Sequence, residues 1–163
     1  MNLKYSVGID VAKDKFDACL VVIDETQSVT IKATKSFTLK RDYKPFLVWI
    51  RTHQKENLPT CFTMEATGNY FEKLAFFLFE NGCFVSVVLP NKAKNYFRSH
   101  GIKSKTDRID AKGLATMGAE QKLKSWQPFS KKIYKLRTLT RQHENLTKQK
   151  TVAKNQVHSQ KYN

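Results

Sequence analysis

The chain opens on alternation. In Tyr5-Ser6-Val7-Gly8-Ile9-Asp10-Val11-Ala12 the apolar Val7, Ile9 and Val11 take every second position, the period of a strand with one face covered. Asp10 falls on the opposite parity, close to the strand's end. Residues 16–23 form a nearly continuous apolar run, as expected of a strand covered on both faces. Lys13-Asp14-Lys15 between the two runs is short enough for a hairpin, and residues 24–28 supply the next turn. A third strand begins at Val29 and ends near Thr38, which predicts a three-stranded antiparallel meander.

The period then changes. Phe46, Trp49 and Ile50 stand at helical spacing behind Pro45, which predicts a helix running to about Glu56. Thr60-Cys61-Phe62-Thr63-Met64-Glu65 is a short strand leading directly into Ala66-Thr67-Gly68-Asn69. Leu74, Phe77 and Leu78 mark a helix over residues 70–80, closed by Asn81-Gly82. Residues 83–89 are strongly strand-prone and stop at Pro90. A short basic helix over 92–98 and a loop over 99–102 follow, then a helix from Asp107 to about Glu120 with Ile109, Leu114 and Met117 facing inward. After the connector Trp126-Gln127-Pro128-Phe129, the chain is helical in character from Lys131, with Leu136, Leu139, His143, Leu146, Lys150, Ala153 and Val157 forming a weak heptad seam.

The order β-β-β-α-β-α-β predicts an α/β fold: a mixed sheet of five strands with flanking helices, followed by a long C-terminal helix. Residues 1–125 are expected to form the sheet domain and residues 126–163 the start of a helical, coiled-coil segment. In such sheets, sites gather off the C-terminal ends of strands. The first and fourth strands are plausible central neighbours, so Asp10 and Glu65 are placed to converge.

Charge narrows the class of partner. The net charge is +15, and residues 91–163 carry 18 Lys/Arg against 4 Asp/Glu while residues 1–90 carry 11 against 10. A field so one-sided suits a polyanion. An anionic membrane surface fits less well, because the basic part lacks large apolar residues at membrane-helix spacing. No run reaches the length of a membrane span and the N-terminus lacks a signal-peptide core, so a cytoplasmic protein is expected. Cys19, Cys61 and Cys83 are odd in number and far apart, which argues against disulfides or structural zinc and for small core residues.

Within the basic half, Lys103-Ser104-Lys105-Thr106-Asp107-Arg108-Ile109-Asp110-Ala111 holds two acids three residues apart, neighbours on one helix face. Two readings apply. Thr106 or Asp107 caps the helix, with Asp110 favoured by its positive end. Alternatively, the mutual repulsion of the two acids is relieved by a cation. With Asp10 and Glu65 there are four carboxylates, an oxygen donor set that suits magnesium or manganese and is large enough for two ions of the kind used in phosphodiester chemistry. Lys13, Lys92, Lys94, Arg98, Lys103, Lys105 and Arg108 are the candidate phosphate contacts. Tyr96 and Phe97 are able to stack on bases, although core packing of at least one is the simpler expectation. His100 is given no role.

Three segments carry a family likeness: Gly8-Ile9-Asp10-Val11-Ala12-Lys13, Met64-Glu65-Ala66-Thr67-Gly68-Asn69-Tyr70 and Lys105-Thr106-Asp107-Arg108-Ile109-Asp110-Ala111. In order and spacing they resemble the DEDD transposases of the insertion-sequence 110 family, akin to the Piv and MooV DNA recombinases, over roughly residues 4–160. The resemblance implies a RuvC-like, ribonuclease-H-like domain whose catalytic, magnesium-binding acids are Asp10, Glu65, Asp107 and Asp110. It also implies DNA as substrate, an element-encoded guide RNA in some members, and assembly as a dimer or tetramer through the C-terminal helix. A second domain with a serine nucleophile, beyond residue 163, is expected as well, so the chain is expected to be a fragment. Two alternatives stand beside this reading: a stand-alone nuclease resembling Holliday-junction resolvases, and a non-catalytic nucleic-acid-binding module. An actin- or sugar-kinase-like enzyme is the weakest reading, since no glycine-rich phosphate loop is present.

Overall fold

Three long strands, β1 (Asn2–Val11), β2 (Lys15–Asp24) and β3 (Val29–Thr38), form the expected antiparallel meander. The computed structural model describes residues 1–102 and 106–161 and divides into two units, Met1–Trp126 and Gln127–Asn163. In the first unit the chain continues through α1 (Tyr43–His53), β4 (Thr60–Glu65), α2 (Tyr70–Glu80), β5 (Phe84–Val88), α3 (Pro90–Ser99) and α4 (Asp107–Glu120). The sheet order is β3-β2-β1-β4-β5, with β4 parallel to both β1 and β5. The first and fourth strands are therefore neighbours at the centre, as their sequence positions predict.

Several boundaries shift by a few residues from the sequence reading, two of them at prolines. Helix α1 begins at Tyr43 and ends at His53, so Pro45 lies inside the first turn, where a missing N–H costs nothing. Pro90 stops β5 and is also the first residue of α3, doing both with one fixed φ.

The two faces of the sheet are packed in different ways. On one face Val7, Ile9, Phe16, Leu20, Phe62 and Met64 meet Phe46 and Ile50 of α1 and Phe71, Leu74 and Leu78 of α2. Aromatic edges add to this layer, with the Phe16 and Phe46 rings 5.2 Å apart and perpendicular. On the other face lies α4, which meets Cys19, Val21 and Ile23 through Ala111, Ala115 and Ala119. Of the residues expected to face inward, Leu114 and Met117 are buried, but against Val88, Ala93 and Tyr96, while Ile109 is half-buried. The sheet-facing stripe of α4 is made of small residues.

That stripe sets the height of the helix above the sheet. A Cβ on Gly8 would come within 2.8 Å of the Ala115 Cα and would overlap the Ala111 carbonyl oxygen and the Ala115 nitrogen. One on Gly118 would collide with the hydroxyls of Thr63 and Ser6. The Lys4 ammonium donates to the Gly118 carbonyl over 3.0 Å, fastening the far end of the helix to β1.

The second unit holds α5 (Lys131–Lys161), one continuous helix. Ser130 caps it, accepting from the Ile133 N–H over 3.4 Å. Leu136, Leu139, Leu146 and Val157 of the predicted seam are exposed along it. No helix among the described residues is long and apolar enough to cross a membrane.

Gly8→Ala should test the close approach of α4 to β1. The obstacle is backbone and cannot rotate away, so a loss of at least about 2 kcal/mol is expected in denaturant unfolding. A change within about 0.5 kcal/mol, the range of ordinary surface substitutions, would contradict it.

Candidate metal centre

Strand register lines three acids up in a row. Asp10 is the cross-strand partner of Asp17, and Glu65 follows Met64, the parallel partner of Ile9. Partners across strands share a sheet face, and this face is the one that Gly8 and Thr63 turn towards α4. Helix α4 brings Asp107 and Asp110 in its first turn. Its cap is Thr106, whose hydroxyl accepts from the Ile109 N–H over 3.3 Å. Capping thus falls to Thr106.

The electrostatics follow from this placing. The Asp10 carboxyl is pushed up from 3.8 to about 6, first by burial and then by repulsion from Asp110, Asp107, Glu65 and Asp17. Asp107 behaves oppositely: the Lys15 ammonium, 2.7 Å away, holds its carboxyl below the usual range. The same ammonium lies 3.1 Å from Asp17, which is 4% exposed and also accepts the Ser36 hydroxyl. Glu65 is oriented by the Thr67 hydroxyl, which donates to it over 2.8 Å. Gly68, at φ +60°, then turns the chain into α2.

Burial and like charge therefore focus on Asp10, and all the donors are carboxylate oxygens. Such a set suits a hard divalent cation. Among the described residues no three His, Cys, Asp or Glu close to ligating distance, and Asp107 is paired with Lys15 instead. The site is open to solvent. A cavity of about 560 Å³ lies at the other end of the sheet around Thr60, Cys61 and Phe84, away from Glu65.

The remaining candidates separate. Lys13 is exposed in the β1–β2 turn; Lys92, Lys94 and Arg98 are exposed on α3, and Arg108 on α4. Lys103 and Lys105 lie outside the described residues. Tyr96 is buried and donates to Glu120 over 2.5 Å, and the half-buried Phe97 ring lies against Gly113, so both contribute to packing. His100 has a structural place: its Nε2 is 3.2 Å from the Glu120 carboxylate. The three cysteines are free, Cys19 fully buried and Cys61 and Cys83 half-buried. Asp17 and Lys15 escaped the sequence reading. Asp17 sits inside an apolar run, and the available signal was the tight hairpin, which sets it opposite Asp10.

The model of the DEDD transposase family of insertion sequence 110, described as a transposase, matches residues 7–160. The chain belongs to this family. Two curated relatives, pilin gene-inverting proteins from Moraxella bovis and Moraxella lacunata, are each 35% identical over 146 residues, which is 90% of this chain and 44% of theirs. The chain therefore spans less than half the length of these relatives. Among solved structures, Thermus thermophilus RuvC is similar with a TM-score of 0.52 at 13% identity, over 69% of this chain and 91% of that one. The fold of this family member is RuvC-like: a mixed five-stranded sheet with flanking helices.

The raised Asp10 carboxyl gives a pH signature. Because its folded value of about 6 exceeds the ordinary 3.8, the folded state binds that proton more tightly, and stability falls as pH rises between the two. In the presence of a chelator, Asp10→Asn should raise Tm above pH 6 and lose that advantage near pH 4. Thermal melts across this window check it; a lower Tm for the variant at pH 7 would contradict the crowding of charge at Asp10.

Proposed function

We propose that this chain is the metal-binding catalytic domain of a DNA transposase or site-specific recombinase acting on DNA phosphodiester bonds. The observation that carries the reading is the placing of Asp10 and Glu65 at the adjoining ends of the paired strands β1 and β4, on the face covered by α4, whose first turn holds Asp107 and Asp110. Family membership and the RuvC-like fold support it. The pilin gene-inverting relatives are DNA-rearranging proteins by name. Asp10, Glu65, Asp107 and Asp110 would hold magnesium or manganese, with donors enough for two ions. A divalent cation held there polarises phosphodiester oxygens and stabilises a leaving oxygen.

The chain's own residues supply position. Asp10 is fixed by the central strand, Glu65 is aimed by Thr67, and Thr106 starts α4 so that its two aspartates share one face. The open rim admits a polymer. Lys92, Lys94 and Arg98 project from α3 into solvent and, with Lys13 and Arg108, are the proposed backbone contacts. A phosphate track of this kind accepts DNA, and an RNA guide by the same charge. The exposed leucines of α5 are the proposed seam for a dimer or tetramer.

Calorimetric manganese titration tests the metal. Asp10→Asn, Glu65→Gln, Asp107→Asn and Asp110→Asn should each weaken binding by at least about tenfold, a loss that even supporting residues of metal sites reach. Unchanged affinity in all four would end the reading. A salt titration tests the nucleic-acid track. Neutralising Lys92, Lys94 and Arg98 together should flatten the slope of log K against log salt for duplex DNA by up to about 3. A parallel line would remove α3 from the interface.

A further inference from the structure

Lys15 stands between two acids of different character. Asp17 is buried at 4% exposure at the hairpin end of β2 and accepts the Ser36 hydroxyl, so it is held in place on both counts. Asp107 is exposed, at the first turn of α4. The Lys15 ammonium reaches both, at 3.1 Å and 2.7 Å, from the short β1–β2 hairpin. Its side chain is half-exposed and long, and is free to swing once one partner lets go.

We propose that Lys15 is a built-in competitor for Asp107: anchored on buried Asp17, its ammonium holds Asp107 at the rim and competes with a divalent cation for that carboxylate. The proposal rests on the reading of Asp10, Glu65, Asp107 and Asp110 as ligands of one metal centre. Lys15 holds Asp107 in an ion pair of 2.7 Å. With a divalent ion held beside Asp10, Asp107 would serve as a ligand and the Lys15 ammonium would keep Asp17 as its partner. No bond is made or broken, and the exchange is purely electrostatic. Lys15 thereby sets the metal affinity, and it remains on the rim where a phosphate would lie.

The competition has a definite sign. A simple support for Asp107 would weaken metal binding when removed, because the ligand would wander. A competing charge does the reverse. Its repulsion of a divalent ion about 5 Å away is worth roughly tenfold in affinity at the dielectric of water, and less with salt.

The 163-residue chain is titrated with manganese as wild type, Lys15→Gln, Lys15→Arg and Asp10→Asn, with thermal melts to establish that each variant is folded. The expected result is binding by Lys15→Gln that is roughly three- to tenfold tighter than wild type, with Lys15→Arg restoring wild-type affinity and Asp10→Asn weakened. Unchanged or weaker binding by Lys15→Gln, beside a weakened Asp10→Asn, overturns the competition and leaves the metal centre standing. Equal affinity in all four proteins overturns both. Should Lys15→Gln not fold, the wild-type Lys15 side-chain nitrogen resonance decides. Magnesium should shift it as Asp107 departs, and an unmoved resonance at saturating magnesium overturns the proposal.

Discussion

The structure depends on how close α4 comes to β1. Gly8 has no side chain, so the Ala111 carbonyl and the Ala115 backbone lie directly over it. The next levels follow the same rule, with Gly118 against Ser6 and Thr63, and Ala119 in the layer with Cys19, Val21 and Ile23. Contact of this kind gains little from burial per residue, because small side chains remove little apolar area from water. Its value is geometric. Asp107 and Asp110 belong to the first turn of that helix, and Asp10 lies two residues beyond Gly8, on the same face. A helix lifted by one methyl group would carry two of the four acids away from the other two.

Much of this was legible in the sequence, and the failures have physical causes. Alternation in β1, the continuous run in β2 and the helical spacing behind Pro45 each report on burial, which periodicity measures directly. Asp10 and Glu65 were visible because parity and position put them at strand ends. The footing of α4 was not visible. Its sheet face is alanine and glycine, which carry no hydrophobic period, so Leu114 and Met117 drew attention although they pack against α3 and the end of β5. Asp17 was hidden for a related reason, a single acid within an apolar run. Only the pairing of β1 with β2 shows that it completes a row with Asp10 and Glu65.

Charge in the site is organised by depth. The half-buried Asp10 bears the cost of desolvation and of its neighbours, and its carboxyl rises to about 6. Asp107, at the surface, is eased by Lys15. Asp17, the deepest, is held by a hydroxyl and an ammonium. The same ammonium therefore serves the deepest acid and the most exposed one, which couples the hairpin turn to the start of α4. Beyond the acids, α3 presents Lys92, Lys94 and Arg98 to solvent.

The central claim is that Asp10, Glu65, Asp107 and Asp110 form one divalent-metal centre at the end of β1. The most direct test is a crystal of the chain soaked in manganese and measured for anomalous scattering. The account predicts an anomalous peak at ligating distance from Asp10 and from at least two of Glu65, Asp107 and Asp110. A peak elsewhere, or none at saturating manganese with these acids still apart, would contradict it.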